Sequence, residues 1–347
     1  MSETLSDIGE FGLIYRIDNL LKKEGLSAKG TILGIGDDTA SVQPKEGYEL
    51  LITCDSLVDG RHFLSKFMNF YDVGRRAMTA NISDIGAMGG RPLYALVSLG
   101  LKSDMMVSDI EDMYRGFLSE LNPFHAAVIG GNVTQVEASL FIDITLIGEV
   151  KAGGALRRST AKAGDAILVT GYPGEASAGL ELLLQYTGGN IPYSHPLIQA
   201  YICPTHRAHE GQAIAASGLA TAMIDTSDGL LADLAHICSD SGVGADLNRK
   251  DLPISDALRE TATDNKKDPY VLCTRDSDDY ELIVTCATEN VEKIKNIITE
   301  ISDVPLTQIG TISEEREIYH WVLPEGTRQP FTPEGWDHFS DKEDCNE

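Results

Sequence analysis

The chain has 347 residues, 42% of them hydrophobic and 23% charged, a balance that supports a sizeable core and about two domains of ordinary size. Its formal net charge of −25 excludes broad nucleic-acid binding, which needs Lys and Arg against the phosphates, but leaves open a nucleotide held through divalent cations. There is no apolar run of about 18 residues and no signal-peptide pattern in Met1-Ser-Glu-Thr-Leu-Ser-Asp7, so no membrane span is expected and a cytoplasmic location is.

In chain order, Glu10 to Leu21 carries apolar residues at helical spacing and predicts a helix. Thr31-Ile-Leu-Gly34 reads as a short strand broken by glycines into an acidic turn at Asp37 and Asp38. Glu49 to Cys54 is an apolar strand running into Asp55. A helix follows over Asp72 to Met88, ended by Gly89-Gly-Arg-Pro92. Leu93–Leu101 predicts a strand, Val107–Leu121 a helix, and Ala126–Ile129 and Leu140–Val150 two further strands. Lys151-Ala-Gly-Gly-Ala155 is the best linker and divides domain 1–150 from domain 151–347. Beyond it come a strand at Ala166, helices near Ala176–Gln185 and His206–Ser217, a strand at Thr221–Ile224, a helix near Leu230–Ser239, a strand at Tyr280–Cys286 and a helix near Val291–Ile301. Both halves mix strands and helices, so the fold class is α/β or α+β in each.

Several Asp residues stand where solubility does not need them, at the ends of apolar elements among Gly, Ser or Asn: Gly34-Ile-Gly-Asp-Asp38, Thr53-Cys-Asp-Ser56, Asn81-Ile-Ser-Asp84, Asp225-Thr-Ser-Asp-Gly229, with Gly130-Gly-Asn132 as a neutral counterpart. Asx-turns and helix caps use the same residue types. Asp84 is the most telling. Ala77, Ala80, Asp84 and Ala87 share one helical stripe of small residues, and no Lys or Arg lies one turn away, so its partner is either a metal ion or an Arg from a distant segment. Oxygen ligands favour Mg²⁺ over Zn²⁺. His206 and His209 complete no zinc pattern and read as helix surface. The cysteines Cys54, Cys203, Cys238, Cys273, Cys286 and Cys345 form no CxxC and read as reduced thiols. Gly174 and Gly179 have P-loop spacing, but Leu180 replaces the lysine. Phosphate must then be handled through metals and scattered basic residues.

Taken in order, Gly9-Glu-Phe-Gly-Leu-Ile14, Gly36-Asp-Asp38, Asp55-Ser-Leu-Val-Asp-Gly-Arg-His-Phe63, Asn81-Ile-Ser-Asp-Ile-Gly-Ala-Met-Gly89, Arg158-Ser-Thr-Ala-Lys-Ala-Gly-Asp165, Asp225-Thr-Ser-Asp-Gly-Leu230, Asp279-Tyr-Glu-Leu282 and Gly335-Trp-Asp-His-Phe339 resemble the thiamine-monophosphate kinases, a family related to aminoimidazole ribonucleotide synthetase and selenophosphate synthetase. The resemblance implies a two-domain synthetase-like architecture, with an N-terminal sheet domain that dimerises and a C-terminal α/β domain closing over the nucleotide. It implies several Mg²⁺ ions held at Asp38, Thr53, Cys54 (through its backbone), Asp55, Asp84, Asn132, Asp225 and Asp228. It implies ATP contacts at Tyr114, Gly131, Asn132, Arg158 and Ser227, and thiamine monophosphate approached from His62, Asp278 and Trp336. This chain departs from the family pattern at Asn132, where an Asp is usual, and at Asp278, where a Glu is usual.

The expected reaction is direct in-line transfer from ATP to the acceptor phosphate, with Asp84 and Asp228 in the catalytic cluster and Arg158 neutralising charge on the nucleotide. A sibling ATP-dependent enzyme with another small acceptor, or a nucleotide-binding paralogue without turnover, are the alternatives.

Overall fold

The computed structural model describes residues 3–24, 29–33, 41–186 and 192–336. The N-terminal elements are α1 (Leu5–Lys23), β1 (Thr31–Leu33), β2 (Ser41–Val42), β3 (Tyr48–Val58), α2 (Phe70–Ala87), β4 (Arg91–Leu101), α3 (Val107–Leu121), β5 (Ala127–Gln135) and β6 (Phe141–Lys151). After them come β7 (Ala166–Thr170), α4 (Glu175–Gln185), α5 (Pro196–Ile202), α6 (Ala208–Ser217), β8 (Ala220–Asp225), α7 (Leu230–Ser241), β9 (Gly244–Asn248), α8 (Asp256–Asp264), α9 (Pro269–Thr274), β10 (Leu282–Cys286), α10 (Val291–Ile301), β11 (Leu306–Ser313), β12 (Tyr319–Val322) and β13 (Arg328–Phe331).

The first sheet has the order β3-β6-β4-β5, antiparallel except for the β4–β5 pair. Alternation along β3 and β6 sends Leu51, Leu57, Ile142, Ile144 and Leu146 to the face covered by helices. The opposite face leaves Tyr48, Leu50 and Ile52 exposed. Helix α2 begins where the Asn69 side chain accepts the Asp72 N–H at 2.8 Å, and ends at Gly89, whose φ of 74° suits an L-residue poorly. Apolar residues lie all round α2, and Val73, Ala77, Met78, Ile82 and Ile85 are buried. Such a helix must be sandwiched, and it is, between its own sheet and the second domain.

The second sheet has the order β13-β12-β9-β11-β7-β10-β8, with β9 and β12 parallel and the other pairs antiparallel. Strands β7 and β10 are buried along their whole length, which fits a sheet packed on both faces. One face meets Leu234 and Ile237 of α7 and Leu258 of α8. The other meets Ile214 of α6 and Ile294 and Ile298 of α10. The first core does not stop at the domain boundary, because Leu183, Ile198, Tyr201, Ile202 and Ala208 pack into it.

Three readings of the sequence need correction. Strand β5 runs on to Gln135 rather than stopping at Ile129, since Gly130 and Gly131 allow β5 to lie hard against β4. A Cβ at Gly131 would meet the Val97 carbonyl. Tyr280 stands before its strand at a φ of 57°, so the strand starts at Leu282. His206 is not on a helix surface. It precedes α6, is buried against Phe124 and Glu120, and burial holds its imidazole neutral with a pKa pushed down to about 3.

Candidate active site

Three carboxylates from three elements meet where the domains join. Asp55 comes from β3, Asp84 from the last turns of α2, and Asp225 is the final residue of β8. The Thr53 hydroxyl donates to Asp84 Oδ2. Ser83, one residue before Asp84, reaches across the domain boundary and donates to Asp225 Oδ2 at 2.5 Å. Burial and the neighbouring charges of Asp84 and Asp143 push Asp55 up to about 7. Asp84 is raised by burial, against the Thr53 hydrogen bond and the charge of Arg158. Asp225 is raised well above the usual carboxylate range by burial and by Asp84. Like charges held together out of water oppose one another's ionisation, and a cation among them relieves that opposition.

Next to these carboxylates lies a cavity of about 370 Å³. Leu51, Met88, Leu156 and Met223 give it an apolar wall, while Asp84, Asp225 and Arg158 give it charge. Arg158 sits in a short turn after the linker, so it brings a cation from the second domain to acids of the first.

The turn after β8 is built around Asp233. Its Oδ2 accepts the backbone N–H groups of Ser227, Asp228 and Gly229 at 3.0, 3.0 and 3.1 Å, and burial with the charge of Asp228 raises it to about 7. Among the described residues, Asp228, Asp233 and His236 are the group whose ligand atoms lie within 4.8 Å of one another. Asp55, Asp84 and Asp225 are not drawn into such a cage.

The remaining expected residues divide by location. Thr53 and Asp55 point to the helix-covered face of the first sheet. Cys54 and Asn132 point to the open face, on which Ser56, Asp143, Ser98 and Asn132 form one row across the strands. Asp143 accepts from Ser56 at 2.5 Å and contacts the Cys54 sulfur at 3.5 Å. Tyr114 is buried in the first core, edge-on to Phe117 at 5.2 Å, and does not line the cavity. Asp38 lies outside the described residues.

Of the residues expected to approach the acceptor, the His62 Nδ1 accepts the Val58 N–H at 3.0 Å, and Asp278 pairs with Arg76. The Trp336 backbone N–H donates to the Asp228 carbonyl at 3.2 Å, and the Arg61 guanidinium lies 4.7 Å from the centre of the Trp336 ring. The C-terminal aromatic thus sits beside the Asp228 turn although more than a hundred residues separate them in sequence.

Three residues escaped sequence reasoning. Asp143 alternates with apolar neighbours in Phe141-Ile-Asp-Ile-Thr145, which reads as an ordinary solvent face. Arg76 follows Arg75 on a helix and gives no sign of burial. Asp233 did carry a signal, an acid on the inner face of an amphipathic helix one turn after a glycine.

The chain matches two family models: AIR synthase related protein, N-terminal domain, over residues 36–150, and AIR synthase related protein, C-terminal domain, over residues 162–322. It is 36% identical to the thiamine-monophosphate kinase of Salmonella typhimurium, over 96% of this chain and 98% of that one. It is 34% identical to the thiamine-monophosphate kinase of Aquifex aeolicus, over 96% and 99%. Among solved structures, the thiamine-monophosphate kinase of Stenotrophomonas maltophilia K279a is similar at 34% identity and a TM-score of 0.79, over 93% of this chain and 98% of that one. AaThiL complexed with AMPPCP and TMP is similar at 32% identity and a TM-score of 0.73, over 98% and 100%. The hydrogenase maturation protein HypE shares the fold at 18% identity. The chain belongs to the thiamine-monophosphate kinase family of AIR synthase related proteins.

Proposed function

We propose that this protein is a cytoplasmic, homodimeric kinase that transfers the γ-phosphoryl group of ATP to the phosphate of thiamine monophosphate, giving thiamine diphosphate, with Mg²⁺ as its metal. The observation that carries the reading is the meeting of Asp55, Asp84 and Asp225 beside Arg158 and the cavity between the domains. The kinases of similar sequence, and the similar structure with AMPPCP and TMP, support the choice of both substrates.

The donor set fits Mg²⁺. It consists of carboxylates and a hydroxyl, and the raised carboxylates show a local excess of negative charge. When bound at these acids, Mg²⁺ would supply positive charge to offset that of the phosphates. The protein's own residues do the rest. Asp55, Asp84, Asp225 and Asp228 would hold the ions, and Thr53 and Ser83 fix the carboxylates of Asp84 and Asp225 by donating to one oxygen of each. Arg158 offsets charge on the nucleotide, whose base suits the apolar wall of the cavity. Trp336 offers a π face to the cationic ring of the acceptor, and His62 and Asp278 flank it. The acceptor phosphate has its second pKa at about 6 and is largely dianionic near neutral pH, so no protein base is needed to activate it.

The exposed Tyr48, Leu50 and Ile52 on the open sheet face support dimerisation through that face. No described helix is long and apolar enough to cross a membrane, and the described cysteines are free, which supports the cytoplasmic assignment.

The test is product formation from ATP and thiamine monophosphate with Mg²⁺, with and without EDTA. Thiamine diphosphate that appears only without EDTA supports the reading. Nucleotide binding with no product points to a paralogue without turnover, and equal product in EDTA contradicts the metal assignment.

A further inference from the structure

Arg76 lies in the middle of α2 and has no role in the reading above, yet it is among the largest fully buried side chains of the protein. Its guanidinium is divided among three segments. The Nε donates to the His62 carbonyl at 3.2 Å. The Nη1 donates to the Tyr201 carbonyl at the end of α5, and the Nη2 to Asp278 Oδ2. The guanidinium also lies 4.6 Å from the centre of the Tyr201 ring. A charge so completely buried is costly unless every donor is used in good geometry, and a planar fork with its donors fixed is the side chain suited to that.

The partners are what give this arrangement meaning. His62 belongs to the loop after β3 in the first domain, and Asp278 to the loop before β10 in the second. These are two of the three residues assigned to the acceptor. Arg76 grips the backbone of one and the carboxylate of the other, and Tyr201 holds it from the remaining side. The Asp278 side chain is 33% exposed while that of Arg76 is 1% exposed, so the acid is partly open to solvent and the guanidinium is closed off from it. Arg76 therefore cannot reach the acceptor itself.

We propose that Arg76 is the positioning residue of the acceptor site, setting the separation and orientation of His62 and Asp278 across the domain boundary. The proposal rests on the assignment of those two residues to the acceptor. It also accounts for the shorter acid at Asp278, because a carboxylate anchored by a fixed fork gives up reach for a defined position.

The experiment measures KM for thiamine monophosphate and for ATP, and Tm, in wild type, Arg76→Lys, Arg76→Met, Asp278→Asn and Arg76→Met/Asp278→Asn. Lysine keeps the charge but cannot serve three acceptors in one plane, so Arg76→Lys should raise the acceptor KM about 10-fold or more and leave the ATP KM within about 2-fold. In the double variant the two effects on the acceptor KM should fall short of multiplying, since the Asp278 contact is counted in both changes and only the hold on His62 is left for the second to remove. If Arg76→Met fails to fold, Arg76→Lys and the double variant, in which the stranded charge is gone, still decide the matter. Lower Tm in Arg76→Lys with both KM values unchanged would make Arg76 a structural ion pair only and overturn the proposal. So would multiplying effects in the double variant. An acceptor KM unmoved by Asp278→Asn would instead remove the underlying assignment.

Discussion

Asp84 brings the physical features of the candidate site together in one carboxylate. It shares a stripe with the buried Ala77, Ala80 and Ala87, accepts from Thr53, and is raised by burial. Asp84→Asn keeps its shape and removes its charge, so we expect kcat to fall at least about 100-fold, about 2.7 kcal/mol in the barrier. Stability should hold or rise, because a repelling charge leaves a crowded cluster. Steady-state kinetics with a thermal melt checks both halves, and near-normal turnover would make Asp84 structural. Trp336→Ala should raise the acceptor KM about 2- to 30-fold, in line with a ring contact of about 0.5–2 kcal/mol, with the ATP KM little changed. Both residues could be singled out from the sequence for physical reasons. An acid on a small-residue stripe is out of place, and a Trp near a polar terminus is conspicuous. Asp143 and Arg76 could not be, because their importance depends on what lies across a strand pair or a domain boundary, and one-dimensional spacing carries neither.

At the scale of elements, the site depends on α2 lying close to α6. Gly86 and Gly211 make that approach possible. A Cβ at Gly86 would lie 2.6 Å from the Ala208 Cα, and one at Gly211 would meet the Gly86 carbonyl. Gly211→Ala should therefore push the helices apart at a cost of about 1–3 kcal/mol, and should lower kcat as well, since Ser83 and Asp84 ride on α2. Urea unfolding and kinetics on the same preparation test this, and an unchanged midpoint would show that the helices can slide to make room. The long amphipathic or apolar elements, α2, α3, β3, β4 and β6, were readable from period and capping alone. The short helices α5, α8 and α9 and the strands β12 and β13 at one end of the second sheet were not. At four to nine residues each, they show too few turns or alternations to stand out, and packing against neighbours decides them. The buried His206 is a similar case, since a His-x-x-His spacing says nothing about a Phe124 ring arriving from the other domain.

For the molecule as a whole, the two domains are joined by a cluster whose charges oppose each other, and this has a consequence for pH. Asp55 is raised from the ordinary 3.8 to about 7, and Asp84 and Asp225 are raised as well. The folded protein then binds more protons than the unfolded chain above the ordinary carboxylate pKa, so these groups make stability fall as pH rises through that window toward about 7. Mg²⁺ should reverse the trend by stabilising the ionised form, and its effect on Tm should be larger at pH 8 than at pH 5.5. Equal Mg²⁺ shifts at the two pH values would place the ions away from these three carboxylates. The central claim, phosphoryl transfer to thiamine monophosphate at this interdomain cluster, is tested most directly by following thiamine diphosphate formation in wild type and Asp84→Asn at saturating ATP with Mg²⁺. The wild type should form product steadily, EDTA should abolish it, and the folded variant should lose at least about 100-fold. Product formed at equal rates by both proteins, or by the wild type in EDTA, would contradict it.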